Sequence, residues 1–518
     1  MATNVTTNIL DIASRLPDNW LISGDSCEIG QIVDRTFQQI TKNQPQQTPQ
    51  IIFLAESEPI QFIASFIAAC ASKSQIFLCN PNWVKSEWQQ VFDLVQPDII
   101  FGKNALQNLT EMGFIASPLE KPKNNYQLPI TNYQLPLIMI PTGGSSGKIR
   151  FAIHTWETLT ASVQGFQQYF KVEKINSFCI LPLYHVSGLM QFMRSFTTDG
   201  QLAILPFKAL EAGEKSDIKP EEFFTSLVPT QLQRLLQKPD QANWLSRFHT
   251  VLLGGAPAWP ELLAIAKKYE IKLALTYGMT ETASQIATLK PEDFLAGNHS
   301  CGQILPHAQV TIRGSKGEIL CYNQVGNIAV NAKSLALGYY PDRVHLCLEN
   351  ILVGAKHSGS TSLVLTNKLS AGMLRPSKIE MHPPDKIGNR EYLQLDDLGF
   401  FDRNNYLNIV GRNSDKIITG GENVFPAEVE AAIRATNLVA DVAVIGWADK
   451  DWGQVVTAIY VPTNPAVTVQ ELQAAIADKL SKFKQPKYWC FVEQLPRNSQ
   501  GKVNREQLQE IAIKYQFL

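Results

Sequence analysis

A glycine- and hydroxyl-rich stretch, PTGGSSGK over residues 141–148, is the first place in this chain where the residue types suggest chemistry. Its glycines free backbone N–H groups, its serines and threonine add hydroxyls, and Lys148 adds a positive charge, a combination that suits a polyanion such as a phosphate chain. The stretch differs from the G-x-x-x-x-G-K-[ST] loop of P-loop nucleotide hydrolases, because Thr142 stands where its first glycine belongs and Ile149 where its Mg²⁺-binding hydroxyl belongs. It therefore predicts either a phosphate loop of another kind or a plain Gly/Ser turn.

Four further stretches combine glycines, acids or lysines in patterns suited to binding a ligand. Taken alone, each also has an ordinary interpretation, since paired glycines are common in strand-to-helix turns and a lone lysine near a C-terminus is usually solvated charge. The stretches are LLGGAP (252–257), YGMTET (277–282), LDDLGF (395–400) with GRNSDKIITGGEN (411–423), and LPRNSQGKVNR (495–505).

The composition excludes several classes of protein. A chain of 518 residues exceeds what one core organises, so two to four structural units are expected. The net charge of −1 lacks the basic excess of a nucleic-acid-binding surface, and the eight cysteines show no C-x₂-C zinc spacing. The N-terminus lacks a secretory signal pattern and the longest apolar stretch is too polar to span a bilayer, so we expect a cytoplasmic protein without a membrane span.

Alternating strand and helix patterns must position these stretches. Short apolar runs alternate with helical patterns between about residues 50 and 100, and the rhythm resumes at residue 177, which predicts βαβ units and a mostly parallel sheet. After about residue 300 the pattern becomes β-rich, with predicted strands AQVTIRG, GEILCY and GNIAVNA. The tandem repeat at 124–137 is interpreted as a surface linker, and residues 345–390 show no clean period and receive no assignment.

The predicted fold class is α/β, with a large multi-subdomain N-terminal unit of mostly parallel sheets and a β-rich subdomain, followed by a small α+β unit. We place the boundary between residues 411 and 412, giving domains 1–411 and 412–518. In the small unit, VADVAVIGWAD and VVTAIYVP are predicted strands and TVQELQAAIADKLSKF a predicted helix. In the large unit, a strand over 178–183 is predicted to lead to His185, with a helix beginning near Ser187.

Taken in order, the five stretches closely resemble the motifs of the adenylate-forming superfamily, which comprises acyl-CoA synthetases, luciferases and peptide-synthetase adenylation domains. The resemblance covers nearly the whole chain after residue 50. It implies an adenylation domain followed by a small mobile C-terminal domain that carries a catalytic lysine. It also implies the substrates: a carboxylic acid that ATP activates in the presence of Mg²⁺, and coenzyme A, which accepts the acyl group.

The resemblance implies which residues bind the nucleotide. Glycines let the adenine approach the backbone, a tyrosine ring offers it a flat face, and a carboxylate accepts hydrogen bonds from the ribose hydroxyls. The Gly-rich loop has one hydroxyl fewer than the family's Thr-Ser-Gly-Ser-Thr-Gly pattern. The implied β- and γ-phosphate ligands are Thr142, Gly143, Gly144, Ser145, Ser146, Gly147 and Lys148, and the implied adenine and ribose ligands are Gly254, Gly255, Ala256, Tyr277, Asp397 and Arg412.

The resemblance also implies residues for catalysis and for domain movement. Glu281 would ligate Mg²⁺, Thr280 would donate to the α-phosphate, and Lys502 would stabilise the charge on the five-coordinate α-phosphorus. After acyl-adenylate formation, the small domain would rotate about Ser414. That rotation would move Lys502 away and bring the Gly420–Gly421 loop against a tunnel for the pantetheine of coenzyme A.

Two adjacent aspartates compete for the ribose role. The family usually has Thr-Gly-Asp before Leu-Gly, whereas this chain has Leu395, Asp396 and Asp397 before Leu398-Gly399. We assign the ribose to Asp397 because of its position directly before Leu398, with Asp396 as the alternative.

Within this superfamily, three sequence segments most resemble the o-succinylbenzoate-CoA ligases of menaquinone and phylloquinone synthesis. They are LPLYHVSGL, YGMTETASQIATL and RNSDKIITGGENVFPAEVE. The resemblance implies that His185 and Gln285 line the acyl pocket, with His185 forming its wall and gate and not carrying a proton. A lone histidine is also often a structural side chain. The chain between Tyr340 and Asp396 is longer than the family usually has and is interpreted as a surface insertion.

Three other functions remain open at this point. One is a different aryl- or fatty-acid CoA ligase, because the residues that select the acid are dispersed along the chain. Another is an adenylation module that loads a separate carrier protein. The last is an inactive acyl- or nucleotide-binding protein, against which the presence of all the motif acids and cations argues.

Overall fold

The computed structural model describes residues 20–22, 26–42, 49–114, 135–143, 149–341, 392–497 and 503–516. Four features named above lie wholly or mainly outside these ranges: the linker repeat, residues 144–148 of the Gly-rich loop, the unassigned stretch 345–390, and Lys502. No helix among the described residues combines the length and the apolar composition needed to cross a membrane.

The first sheet carries the Gly-rich loop at the end of a hairpin. Strands β1 and β2 pair in parallel, as do β1 with β3 and β2 with β4, whereas β4 and β5 are antiparallel. Because β4 ends at Gly143 and β5 begins at Ile149, the loop joins these two strands. The strands are β1 Ile51–Leu54, β2 Gln75–Leu78, β3 Ile99–Phe101, β4 Leu137–Gly143 and β5 Ile149–Thr155, and the helices of this region are α1 Ser26–Lys42, α2 Pro59–Ala71, α3 Lys85–Leu94 and α4 Lys103–Glu111.

The second sheet has seven strands in the order β12-β11-β10-β9-β8-β6-β7. Strands β6 to β10 pair in parallel, and β11 and β12 add an antiparallel edge. The strands are β6 Asn176–Cys179, β7 Leu202–Ile204, β8 Phe223–Leu227, β9 Thr250–Leu253, β10 Leu273–Met279, β11 Ser284–Thr288 and β12 Gln303–Ile304. The helices are α5 Trp156–Phe170, α6 Val186–Thr197, α7 Phe207–Ala212, α8 Pro229–Leu236, α9 Pro239–Leu245, α10 Pro260–Lys268 and α11 Pro291–Leu295.

The main core lies between these two sheets. Helix α2 is buried continuously from Phe62 to Cys70, as expected of a helix that is apolar on every face. It shares one hydrophobic cluster with strand residues of the first sheet, such as Ile76 and Ile138, and with residues of the second, such as Leu202 and Leu252. Burial on both faces therefore explains the continuous apolar strands from which the parallel arrangement was predicted.

The β-rich region forms a third, antiparallel sheet in the order β13-β14-β16-β17. Its strands are β13 Ala308–Arg313, β14 Gly326–Ala332, β16 Leu393–Phe401 and β17 Leu407–Arg412, while β15, Tyr339–Tyr340, pairs with β5 on the first sheet. The predicted strand GEILCY is wrong, because only Ile319 makes a bridge, to Arg313. Ile319 and Tyr322 are 56% and 52% exposed, and of the apolar residues of this segment only Leu320 packs against the core of the third sheet.

The small C-terminal unit has its own two hydrophobic clusters, whose members all come from residues 417–512. Because β17 pairs through Arg412 in the third sheet, the boundary placed at 411/412 falls one residue inside that strand. The predicted helix over 468–483 is shorter, since α13 ends at Ile476 and a separate 3₁₀ turn follows at Lys482–Lys484. The elements are β18 Ile417–Thr419, β19 Glu422–Val424, α12 Pro426–Arg434, β20 Val439–Asp449, β21 Gly453–Pro462, α13 Val469–Ile476, β22 Tyr488–Phe491 and α14 Arg505–Gln516.

The predicted fold class is confirmed by this arrangement of parallel-rich sheets, an antiparallel subdomain and a small α+β unit.

Candidate active site

A cavity of about 1350 Å³ lies at the carboxyl ends of the parallel strands of the second sheet. Open α/β sheets bind ligands at this edge, because the loops that follow the strands meet there. Five of the predicted site residues line the cavity: His185, Gly254, Gly255, Thr280 and Gln285. The small unit covers part of the cavity with Arg434, Asn437, Val439, Ala440, Asp441, Thr463 and Arg497.

Asp397, Arg412 and Tyr277 form one cluster. Asp397 on β16 is the direct cross-strand partner of Arg412 on β17, and Arg412 Nε lies 3.5 Å from Asp397 Oδ1. The Tyr277 hydroxyl, from β10, donates a 2.6 Å hydrogen bond to Asp397 Oδ2. Burial and the neighbouring Asp397 carboxylate raise the pKa of Tyr277 well above its ordinary value, so the phenol remains a donor. A buried acid and a half-exposed guanidinium thus converge where β10 leads towards the cavity.

Asp396, the competing acid, has a different environment. Successive side chains of a strand point to opposite faces, so Asp396 is exposed where Asp397 is buried. The backbone N–H of Ser414 donates to Asp396 Oδ1 at 3.2 Å, and the Ser414 hydroxyl donates to Oδ2. The backbone N–H of Asn413 donates to the Asp396 carbonyl oxygen at 2.8 Å. The structure therefore places Asp396 against the connection between the two units and Asp397 with the aromatic and cationic residues.

Thr280 and Glu281 lie in a 3₁₀ turn that directly follows β10. His154, fully buried on β5, donates through Nε2 to the Thr280 carbonyl oxygen at 2.8 Å, and its Nδ1 lies 3.0 Å from the Thr158 hydroxyl. Burial lowers the pKa of His154 to about 4, so the ring is neutral at neutral pH. His154 thereby ties the turn to the first sheet. Sequence reasoning missed this residue because it belongs to none of the motifs.

Glu281 keeps one carboxylate oxygen available. Its Oε1 accepts a hydrogen bond from the Tyr339 hydroxyl on β15, whereas Oε2 receives none from the residues that the structure describes. Within that part of the chain, no group of three or more acidic, histidine or cysteine side chains is placed to hold a metal. A single free carboxylate oxygen fits a Mg²⁺ ion held mainly by phosphate oxygens and water. Sequence reasoning did not identify Tyr339 either. This residue is far from Glu281 in the chain and belongs to a strand that pairs with β5.

Gly254 and Gly255 follow β9 at the edge of the cavity. A Cβ atom at Gly254 would lie 2.3 Å from Thr276 Oγ1 on the neighbouring strand, so no side chain fits there. Ala256 is exposed and is not among the lining residues. The paired glycines therefore form a strand-to-helix turn, as in the ordinary interpretation of this motif. They also form a part of the cavity wall that carries no side chains.

His185 begins a helix and does not end a strand, which corrects the prediction. Strand β6 ends at Cys179, and His185 is the N-cap of α6, which begins at Val186. The intervening residues include Pro182, and proline cannot donate in the middle of a parallel sheet. His185 is 9% exposed and lines the cavity, and its ring centroid lies 4.5 Å from that of Tyr184.

Gln285, on β11, is held by a buried cation that sequence reasoning missed. Arg194 of α6 is 3% exposed, and its Nη2 donates to Gln285 Oε1 at 2.7 Å and to Ser284 Oγ at 3.3 Å. The guanidinium also stacks over the Phe166 ring at 4.3 Å. Burial lowers the pKa of Arg194 to about 9, which leaves it charged at neutral pH. The available signal was that Arg194 is the one charged residue of α6.

The Gly420–Gly421 loop is a tight hairpin turn between β18 and β19. Both residues have positive φ angles, 57° and 86°, as a two-residue type I′ turn requires. A Cβ atom at Gly420 would lie 2.6 Å from the Trp452 ring. Neither glycine lines the cavity in this arrangement, whereas Arg497, from the same stretch as Lys502, does.

Two family models match this chain. The AMP-binding enzyme family matches residues 46–340, and the AMP-binding enzyme C-terminal domain matches residues 428–502. The 2-succinylbenzoate–CoA ligase of Enterococcus faecalis is 27% identical over 477 residues, which span 90% of this chain and 89% of that protein. The enzyme of the same name from Geobacillus sp. strain WCH70 is 31% identical over 376 residues, spanning 71% of this chain and 68% of that protein.

The fold is also that of a solved structure. O-succinylbenzoate CoA synthetase from Bacillus subtilis, in complex with the acyl-adenylate intermediate OSB-AMP, matches with a TM-score of 0.73 at 22% identity and covers 97% of each chain. At this identity the likeness establishes the shared fold, while the chemistry must be argued from the site.

Proposed function

This chain belongs to the AMP-binding enzyme family, and from that premise we propose that it is an ATP-dependent, AMP-forming acid–CoA ligase that acts on 2-succinylbenzoate. In the first half-reaction a carboxylate oxygen attacks the α-phosphorus of ATP, giving acyl-AMP and pyrophosphate. In the second, the thiol of coenzyme A attacks the acyl carbon and AMP leaves. The product is an acyl-CoA of menaquinone or phylloquinone synthesis.

The observation that carries the ligase proposal is the convergence of separate motifs around the carboxyl end of β10, which leads to the cavity through Thr280. Thr280 and Glu281 lie in the turn that follows β10, and Tyr277 of that strand donates a hydrogen bond to Asp397, which pairs with Arg412. These residues supply a ribose acceptor, an α-phosphate donor and a metal-binding carboxylate, which are the groups that binding of Mg-ATP requires. Retention of this complete set argues against an inactive protein that binds only the acyl group.

The two ends of the cavity support a division of labour. We assign Thr280 and the paired glycines to the nucleotide, and we assign His185, the N-cap of α6, and Gln285, which bonds to Arg194 of α6, to the acyl group. Mg²⁺, when bound, would neutralise the phosphate charge that opposes attack by a carboxylate. Glu281 would hold it through the oxygen that Tyr339 leaves free.

Replacing Glu281 by glutamine is expected to slow acyl-adenylate formation and to raise the Mg²⁺ concentration required for half-maximal rate. The amide keeps the size and the Tyr339 contact but removes the charge that the metal needs. Pyrophosphate release measured across a Mg²⁺ titration gives the result. Glu292→Gln is a control, because that acid is exposed at the start of a helix. An unchanged titration in Glu281→Gln would remove this residue from the metal site.

Variants of the two adjacent aspartates are expected to differ in the step of the reaction that they slow. Asp397→Asn loses an acceptor that serves a charged hydrogen-bond network, so kcat/KM for ATP should fall by about tenfold to a hundredfold. Asp396→Asn should leave ATP-dependent pyrophosphate release nearly intact and slow complete turnover with coenzyme A, since it weakens the contact to Ser414. If Asp396→Asn were the variant with the ATP defect, the ribose assignment would be reversed.

The acid is tested by a panel of aromatic and aliphatic carboxylates. For 2-succinylbenzoate we expect a kcat/KM at least about a hundredfold above that for benzoate, because polar groups of the pocket would be left unpaired by benzoate. Faster turnover of benzoate or a medium-chain fatty acid would overturn the named substrate.

Pyrophosphate release and acyl-CoA formation, measured with and without coenzyme A, distinguish the three classes of protein. A carrier-loading module would form acyl-AMP without producing acyl-CoA, and an inactive binder would release no pyrophosphate.

A further inference from the structure

The peptide group between Thr280 and Glu281 is fixed by two hydrogen-bond donors. His154, on β5, is fully buried and is not among the cavity-lining residues, and its Nε2 lies 2.8 Å from the Thr280 carbonyl oxygen. The same oxygen accepts from the backbone N–H of Ala283 at 3.0 Å. Because the peptide group is planar, these two donors set the backbone from which the Thr280 side chain projects at the cavity.

Hydrogen-bond chemistry assigns the protons of the His154 ring. A carbonyl oxygen can only accept, so Nε2 must carry a proton. Burial lowers the pKa of His154 to about 4, so the ring is neutral at neutral pH and Nδ1 carries no proton. The Thr158 hydroxyl, in the first turn of α5, lies 3.0 Å from Nδ1 and is placed to donate to it. The ring is therefore held from both sides, with its N–H directed at Thr280.

The backbone around Thr280 is not one that its local sequence favours. The 3₁₀ turn is followed by Ala283 and Ser284, whose φ angles of 51° and 87° are rare for residues other than glycine. The Ser162 hydroxyl donates to the Ala283 carbonyl oxygen at 2.7 Å, which holds the end of the turn. Contacts from distant elements must therefore hold this turn, and His154 makes the one at Thr280.

Glu281 has supports of its own, so its position depends less on His154. The backbone N–H of Ala336 donates to the Glu281 carbonyl oxygen at 2.8 Å, and the Tyr339 hydroxyl donates to the Glu281 carboxylate. Ala336 directly precedes the chain that pairs with β5, and Tyr339 lies within it. One edge of the first sheet thus supports both residues of the turn, each through different groups.

We propose that His154 is a positioning residue for the α-phosphate of the nucleotide: through its bond to the Thr280 carbonyl oxygen, it holds the Thr280 hydroxyl where that phosphate binds. His154 contacts no substrate and transfers no proton. Strand β5 also follows the Gly-rich loop, so the bond fixes the turn relative to the sheet that carries this loop. The inference rests on the proposed ligase function, in which Thr280 donates to the α-phosphate, and adds the residue that orients Thr280.

The test compares the binding of AMP, which carries the α-phosphate, with that of adenosine, which lacks it. The measured quantity is Kd for adenosine divided by Kd for AMP, obtained calorimetrically, and it reports what the phosphate contributes to affinity. Thr280→Val should lower this ratio by about tenfold to a hundredfold, because a hydrogen bond to a charged oxygen is lost. His154→Leu should lower it by at least about threefold and leave the adenosine affinity unchanged, which also shows that the variant is folded.

Two amide variants separate the His154 N–H from the bulk of the ring. In His154→Gln the amide nitrogen can occupy the position of Nε2 and donate to Thr280, so the ratio should lie within about twofold of the wild-type value. In His154→Asn the shorter amide can reach Thr158 but not Thr280, so the ratio should fall as in His154→Leu. His154→Asn also serves if the leucine variant does not fold.

A double variant tests whether His154 acts through Thr280. His154→Leu combined with Thr280→Val should lower the ratio no further than Thr280→Val alone, because the residue that His154 orients has already lost its hydroxyl. His307→Leu is a matched control, since both ring nitrogens of His307 are buried without a hydrogen-bond partner among the described residues and the residue does not line the cavity. Its ratio should equal that of the wild type.

Four results would overturn the inference. They are an unchanged ratio in the leucine or asparagine variant of His154, an equal loss in His154→Gln, an unchanged ratio in Thr280→Val, and additive losses in the double variant. Failure of the proposed ligase function would be recognised separately, because wild-type protein would then form no acyl-AMP from any acid of the panel. The AMP and adenosine measurements do not depend on that reaction.

Discussion

Replacing Lys502 by alanine is expected to slow acyl-adenylate formation by roughly a hundredfold to a thousandfold. The α-phosphorus gains negative charge as the carboxylate attacks it, and a cation aimed at that charge in a closed site stabilises the transition state more than the ground state. The second half-reaction does not pass through that transition state. Thioester formation from supplied acyl-AMP and coenzyme A should therefore remain close to the wild-type rate.

The measurement for Lys502→Ala is single-turnover kinetics of each half-reaction, with pyrophosphate release for the first and acyl-CoA formation for the second. Lys514→Ala is a matched control, because Lys514 is an exposed lysine on the last helix of the same unit. Equal loss of both half-reactions in Lys502→Ala would contradict a role confined to adenylation.

Ser414→Pro should have the opposite profile, with transfer to coenzyme A falling by about a hundredfold or more and adenylation falling modestly. Proline fixes φ near −65° and restricts Asn413 before it, so the torsions needed to rotate the small unit are lost. It also removes the Ser414 N–H that donates to Asp396 at 3.2 Å.

Ser414→Ala separates these two causes, because alanine keeps the backbone N–H and the torsional freedom but loses the hydroxyl bond to Asp396. We expect it to retain most of the transfer rate. If both Ser414→Pro and Lys502→Ala lose both half-reactions equally while remaining folded, the rotating-domain mechanism does not hold for this chain.

The sequence was sufficient to predict the fold class because its signals are local. Buried parallel strands have short, continuous apolar sequences, such as QIFL at β2 and TVLL at β9. This pattern can be recognised without knowing which strands lie beside them in the sheet. Exposed segments with the same residue types were less predictable. GEILCY has strand-like composition, but a stable strand needs one face packed against neighbours, and Ile319 and Tyr322 remain about half exposed while only Leu320 packs against the third sheet.

Motif spacing also identified five residues that line the cavity and the cluster of Tyr277, Asp397 and Arg412, because such motifs are contiguous in the chain. It left Asp396 and Asp397 as alternatives, since adjacency in sequence contains no information about which neighbour each side chain meets. The register of β16 against β17 separates them, placing Asp397 opposite Arg412 and leaving Asp396 beside Ser414.

By itself, then, the sequence determined the class of fold and the family motifs, each of which depends on residues near one another in the chain. Only the tertiary structure decided which groups support those motifs. His154 reaches Thr280, Tyr339 reaches Glu281 and Arg194 reaches Gln285 across 126, 58 and 91 positions of sequence. Such pairs leave no periodicity or spacing to detect, because a side-chain hydrogen bond between distant elements depends on the distance after folding and not on the separation along the chain.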